Sequence, residues 1–92
     1  MRILGIDPGT INLGYGIVDG IEKMHMVDCG ILKLSPRTPV EERLHSLYDE
    51  LTKIMTEHKP NEVAIEEPFI GRNPKSAFSI GRAQAVAILA AA

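Results

Sequence analysis

The chain has no tryptophan, and two tyrosines and two phenylalanines bring its aromatic share to only 4%. It has one cysteine, Cys29, so no internal disulfide can form and a reducing, cytoplasmic setting is the expectation. Placed within an apolar stretch, Cys29 reads as a small core residue. No apolar run approaches the ~18 residues that span a bilayer, so no membrane association is expected. The opening Met1-Arg2-Ile3-Leu4-Gly5 lacks a signal-peptide layout, because its apolar stretch is too short and no cleavage region follows. His25, His45 and His58 stand at no metal-ligand spacing, which leaves them without an assigned role. Acid is missing from residues 69–92, where Arg72, Lys75 and Arg82 give a locally basic tail behind an acidic body. The net charge of −2 hides that asymmetry. An uneven surface explains it most simply, while nucleic-acid contact through the tail stays open.

What is present fits one small α/β domain over residues 1–92. The 45% hydrophobic and 24% charged shares are those of an ordinary globular chain, neither disordered nor fibrous. Arg2 to Asp7 is a compact apolar run and reads as a buried strand. Asp7-Pro8-Gly9-Thr10 is a turn signature, since Pro fixes φ and Gly accepts positive φ. Leu13 to Val18 predicts a second strand, and Asp19-Gly20 a tight hairpin. A third strand follows within Met24 to Leu34. Thr38 and Glu41 stand in capping-box spacing, with Pro39 at the first helical position. From there Val40, Leu44, Leu47, Tyr48, Leu51, Ile54 and Met55 recur at helical spacing, and His58-Lys59-Pro60 ends the helix. Val63 to Glu66 predicts a short buried strand. Asn73 caps a second helix that has Pro74 at its first position and runs to Leu89.

The order β-β-β-α-β-α predicts a three-stranded antiparallel meander, with a fourth strand returning parallel to the first by a right-handed crossover. The chain stops in Ala90-Ala91-Ala92 with no helix stop signal, and the expectation is a truncated piece of a longer domain. The alanine-rich face of the second helix permits close approach, to a core or to a second copy.

Two carboxylates carry the chemistry. Asp7 closes the first strand and Glu66 the fourth, with Glu67 beside it. Parallel pairing would bring Asp7 and Glu66 to the same carboxyl edge of the sheet, where open α/β sheets place their sites. Converging carboxylates repel unless a cation or a shared proton holds them. Oxygen ligands without His or Cys suit Mg2+, with Mn2+ as a substitute. Asp before Pro-Gly is also a common turn residue, and a Glu at a strand end is often simply solvated. Phe69, on a loop after Pro68, is placed to stack on a nucleobase or to close the core edge. Arg72, Asn73, Lys75 and Ser76 are candidate phosphate contacts. Asp7-x-Gly9-Thr10 also resembles the first phosphate loop of sugar kinases and related ATPases, but the chain has no second phosphate loop and no adenosine motif.

Ile3-Leu4-Gly5-Ile6-Asp7-Pro8-Gly9-Thr10 with Gly14-Tyr15-Gly16, and Ala64-Ile65-Glu66-Glu67-Pro68-Phe69 with Asn73, Ser76-Ala77 and Gly81, resemble the RuvC family of Holliday junction resolvases. The resemblance runs from Met1 to Ala92. It implies an RNase H-like fold, a homodimer, and Mg2+-dependent paired incision of four-way DNA junctions in recombination and repair, alongside branch-migration proteins of the same pathway. Asp7 and Glu66 match two of the family's catalytic acids. Phe69 matches its aromatic at the junction's opened bases. Two further family acids have no counterpart in this sequence, so the 92-residue chain alone is expected to be inactive. After Gly81 the family usually reads Gln-Ala-Arg-Gly, whereas this chain reads Arg82-Ala83-Gln84-Ala85. The positive charge has moved about 200° around the helix. Two alternatives remain: an RNase H-like nuclease acting on RNA, and a non-catalytic piece that only folds or dimerises.

Overall fold

The computed structural model describes residues 1–9, 11–66 and 74–92, and the side chains of these except 74–80. The elements are β1 (Arg2–Asp7), β2 (Asn12–Asp19), β3 (His25–Lys33), α1 (Val40–His58), β4 (Glu62–Ile65) and α2 (Pro74–Ala91). They form a four-stranded sheet in the order β3-β2-β1-β4. β1–β2 and β2–β3 are antiparallel, and β1–β4 is parallel. The α/β order and the parallel return of the fourth strand are as the sequence predicts.

Side chains alternate across a strand, so one sheet face gathers the apolar set. Leu4 and Ile6 of β1, with Leu13 and Ile17 of β2, are buried beneath Leu47, Leu51 and Ile54 of α1 and Ala83 and Ala87 of α2. The small buried alanines let α2 lie close to α1, so the alanine-rich face serves the core. The opposite face carries Gly5, Gly14, Gly16 and Ala64 in register.

Three local features differ from the sequence expectation. The cap of α1 is Pro39 itself, with no side-chain cap bond, and Val40 is the first helical residue. The Thr38 carbonyl instead accepts from Arg43 Nη1 at 2.9 Å, and its N–H donates to Ser35 at 3.1 Å, which commits Thr38 to the preceding turn. Asp19-Gly20 is not a two-residue hairpin. Five residues separate β2 from β3, and Gly20 at φ +130° opens that loop where a side chain would strike the Lys23 carbonyl. Cys29 is exposed, because β3 is an edge strand and Cys29 faces away from the helices.

At the amino end of the parallel pair, Arg2 acts as a clasp. Its backbone N–H donates to Asn61 Oδ1 at 2.8 Å, and the Asn61 N–H returns a bond to the Arg2 carbonyl at 2.8 Å. Its guanidinium reaches the His58 carbonyl and Asp19 Oδ2, each at 3.0 Å. That hydrogen bond, with the added pull of the positive charge, holds the Asp19 carboxyl below its usual range. α1 ends where Lys59 turns left-handed at φ 49° and its N–H closes on the Met55 carbonyl at 2.8 Å.

The close α1–α2 contact sets a stability test. Ala87→Leu inserts bulk where there is no space and is expected to cost about 1–3 kcal/mol in urea unfolding. Ala85→Leu, on the exposed face of the same helix, is expected to leave the midpoint unchanged.

Candidate active site

β1 and β4 run in the same direction, so their last residues finish at one edge. The pairing Ile6↔Ile65 places Asp7 beside Glu66, and the Glu66 N–H continues the ladder to the Ile6 carbonyl at 3.1 Å. Both carboxylates project from the Gly5/Ala64 face of the sheet and are exposed. They rim a shallow cleft of about 460 Å³ whose floor is Gly5, Gly14, Gly16 and Ala64. The floor is low because these residues are small. Asp7 has room because its neighbour is Gly14, where an added Cβ would come within 3.7 Å of the Asp7 Cβ. A Cβ on Gly9 would collide with the Asn12 carbonyl, so the turn after Asp7 admits only glycine there.

The two carboxyls are close enough to act on each other. A hydrogen bond in which protonated Glu66 donates to the Asp7 carboxylate, followed by the negative charge of Asp7 and partial desolvation, pushes the Glu66 carboxyl above its usual range. A proton on Glu66 in acid, or a cation between the two groups, relieves that repulsion. The phenol of Tyr15, on the neighbouring strand, is pushed up by partial burial and then by Asp28 and Cys29, so it stays neutral. The chemistry of this donor set suits a hard divalent ion: two carboxylate oxygens with open solvent around them for water ligands. Among the described residues there is no cluster of three or more metal-binding side chains, so Asp7 and Glu66 supply a partial shell.

Of the other predicted site residues, Phe69, Arg72 and Asn73 lie outside the described residues. Lys75 and Ser76 fall in the first turn of α2, and their side chains lie outside the description. Arg82 is exposed on α2. Sequence reasoning missed Gln84, whose Nε2 donates to the Glu66 carbonyl at 3.4 Å. The small-residue floor was missed as well, although Gly14 and Gly16 stand two apart in β2, a spacing that puts both on one sheet face.

The family profile described as crossover junction endodeoxyribonuclease RuvC matches residues 3–92. The chain belongs to the RuvC family. It is 43% identical over 93 residues to the RuvC of Pelotomaculum thermopropionicum, covering all of this chain and 57% of that protein. It is 46% identical over 93 residues to the RuvC of Dehalococcoides mccartyi strain BAV1, covering 56% of it. Among solved structures, Thermus thermophilus RuvC in complex with a Holliday junction substrate matches at a TM-score of 0.90 and 30% identity. That match covers 99% of this chain and 59% of the other. The fold is therefore RNase H-like. An Aquifex aeolicus Ppx/GppA phosphatase at 21% identity and a TM-score of 0.53 shares the fold alone. This chain thus spans somewhat more than half the length of the RuvC relatives it matches.

The raised Glu66 pKa fixes the sign of a pH effect. A carboxyl whose folded pKa exceeds its unfolded value stabilises fully below the unfolded pKa, and that contribution is lost as pH rises through the folded value. Glu66→Gln removes the repulsion with Asp7 that remains at neutral pH. Its thermal midpoint should exceed that of the parent at pH 7, and the difference should vanish below the ordinary glutamate range of about 4.3.

Proposed function

We propose that the chain carries the amino-terminal part of a metal-dependent endodeoxyribonuclease that recognises four-way DNA junctions. The observation that carries this reading is the placement of Asp7 beside Glu66 at the carboxyl edge of the sheet in a RuvC-family fold. The solved relative bound to a Holliday junction supports the substrate class.

Asp7 and Glu66 would hold Mg2+, or Mn2+ in its place. A divalent ion bound there supplies Lewis-acid polarisation of a phosphodiester and lowers the pKa of coordinated water. The chain's own residues do the placing. β1 and β4 fix the two carboxylates side by side, and Gly14 leaves Asp7 free of a neighbouring side chain. The glycine floor lets a phosphate approach the backbone without steric obstruction. Phe69 is assigned to the junction's unpaired bases, and Arg72, Asn73, Lys75 and Ser76 to its phosphates. A homodimer, and cooperation with branch-migration proteins, belong to the same reading, as does a cytoplasmic setting for a chain whose one thiol is exposed. Two carboxylates leave a divalent site partly filled, so the 92-residue chain on its own is expected to bind metal weakly and to cleave little.

The test is a titration of a four-way junction against a linear duplex of the same sequence, without divalent metal, at two salt concentrations. Tighter binding to the junction at both is the expected result, and equal binding of the two overturns the assignment. In a second assay Asp7→Asn should abolish Mn2+ binding. Efficient nicking by the parent chain that disappears in Asp7→Asn would contradict the expected inactivity of this piece.

A further inference from the structure

We propose that Gln84 is a positioning residue that fixes the direction of the Glu66 side chain by holding the Glu66 main-chain carbonyl. The proposal deepens the metal-site reading above and rests on it.

The need for such a group follows from the ladder. In a parallel pair a residue donates to the partner strand one position before its opposite number, and its carbonyl accepts from one position after it. Glu66 stands opposite Asp7, and its N–H duly bonds to the Ile6 carbonyl at 3.1 Å. Its carbonyl should accept from residue 8. Residue 8 is Pro8, which has no N–H. The turn that releases Asp7 from β1 thus removes the donor that would have fixed the peptide after Glu66. Gln84 Nε2 meets that carbonyl at 3.4 Å, across from α2.

Gln84 is itself held in place. Its neighbour Ala83, and Ala87 one turn on, are fully buried against α1. That packing sets the rotation of α2 and leaves Gln84 half-buried beside the end of β4. An amide supplies the donor without a positive charge. The amide thus adds no positive charge beside the acidic pair, whereas an arginine in the same place would compete with a bound cation. Once the Glu66 peptide plane is fixed, its Cα–Cβ bond is aimed at Asp7, and two ligands with preset separation bind an ion better than two that must be ordered.

The experiment is Mn2+ binding to the full 92-residue chain, followed by the loss of the free-ion paramagnetic signal, with the thermal midpoint of each metal-free variant alongside. Gln84→Met keeps length and helix propensity and removes the donor. It should weaken Mn2+ binding about threefold, the lower end for one hydrogen bond of this length, with an unchanged midpoint. Pro8→Ala restores an N–H at the ladder position. In that background Gln84→Met should lose little or nothing, since the carbonyl has regained its backbone donor. Equal Mn2+ affinity of Gln84→Met and parent overturns the proposal and leaves the metal site standing. So does a loss of the same size with and without Pro8→Ala, or one matched by a lowered midpoint, because both mean that Gln84 acts through helix packing. No saturable Mn2+ binding by the parent chain overturns the metal site and this proposal together.

Discussion

The parallel pairing of β1 with β4 is the constraint on which everything else in the molecule rests. It sets Ile6 opposite Ile65 and so Asp7 opposite Glu66. A slip of one residue would turn β4's side chains over, putting Val63 and Ile65 in solvent and Glu66 in the core. The apolar alternation that buries one face therefore also fixes the carboxylates on the other. At the amino end of the same pair, the reciprocal bonds between Arg2 and Asn61 hold the register from the opposite side. Stability and chemistry are not separable here, since one register serves both.

The two sheet faces divide the labour. The helix-covered face carries Leu4, Ile6, Leu13 and Ile17 and holds the fold together. The other carries glycines and an alanine, which contribute little to packing and offer backbone at close range. Two carboxylates beside a near-featureless floor form a surface that favours a cation, with few side chains in the way. On the outer strand the same face carries the exposed Ile31 and Cys29.

Much of this was legible in the sequence because the dominant signals are periodic. The strand and helix order, the parallel return of β4 and the Asp7–Glu66 edge all follow from apolar spacing and the position of the crossover. The start of α1 at Pro74's counterpart, Pro39, was misjudged by one residue, because Thr38 is held in the preceding turn, with its N–H on the Ser35 carbonyl and its own carbonyl on Arg43 Nη1. Pro74 itself opens α2 as expected. Cys29 was misplaced because strand alternation does not say which strand will lie at an edge. Gln84 was invisible for a different reason. Its partner is a main-chain carbonyl, and only the register of two strands far apart in the chain reveals that this carbonyl lost its donor to Pro8.

That separation has a consequence in time. β1, β2 and β3 are joined by short connections and can pair as soon as they exist, whereas β4 must wait for α1 to form and carry the chain back across the sheet. Glu66 meets Asp7 only once the crossover through α1 has closed. Until then the meander carries a single ordinary aspartate at a turn. The acid pair depends on the longest loop closure within the sheet, the one with the greatest entropic cost.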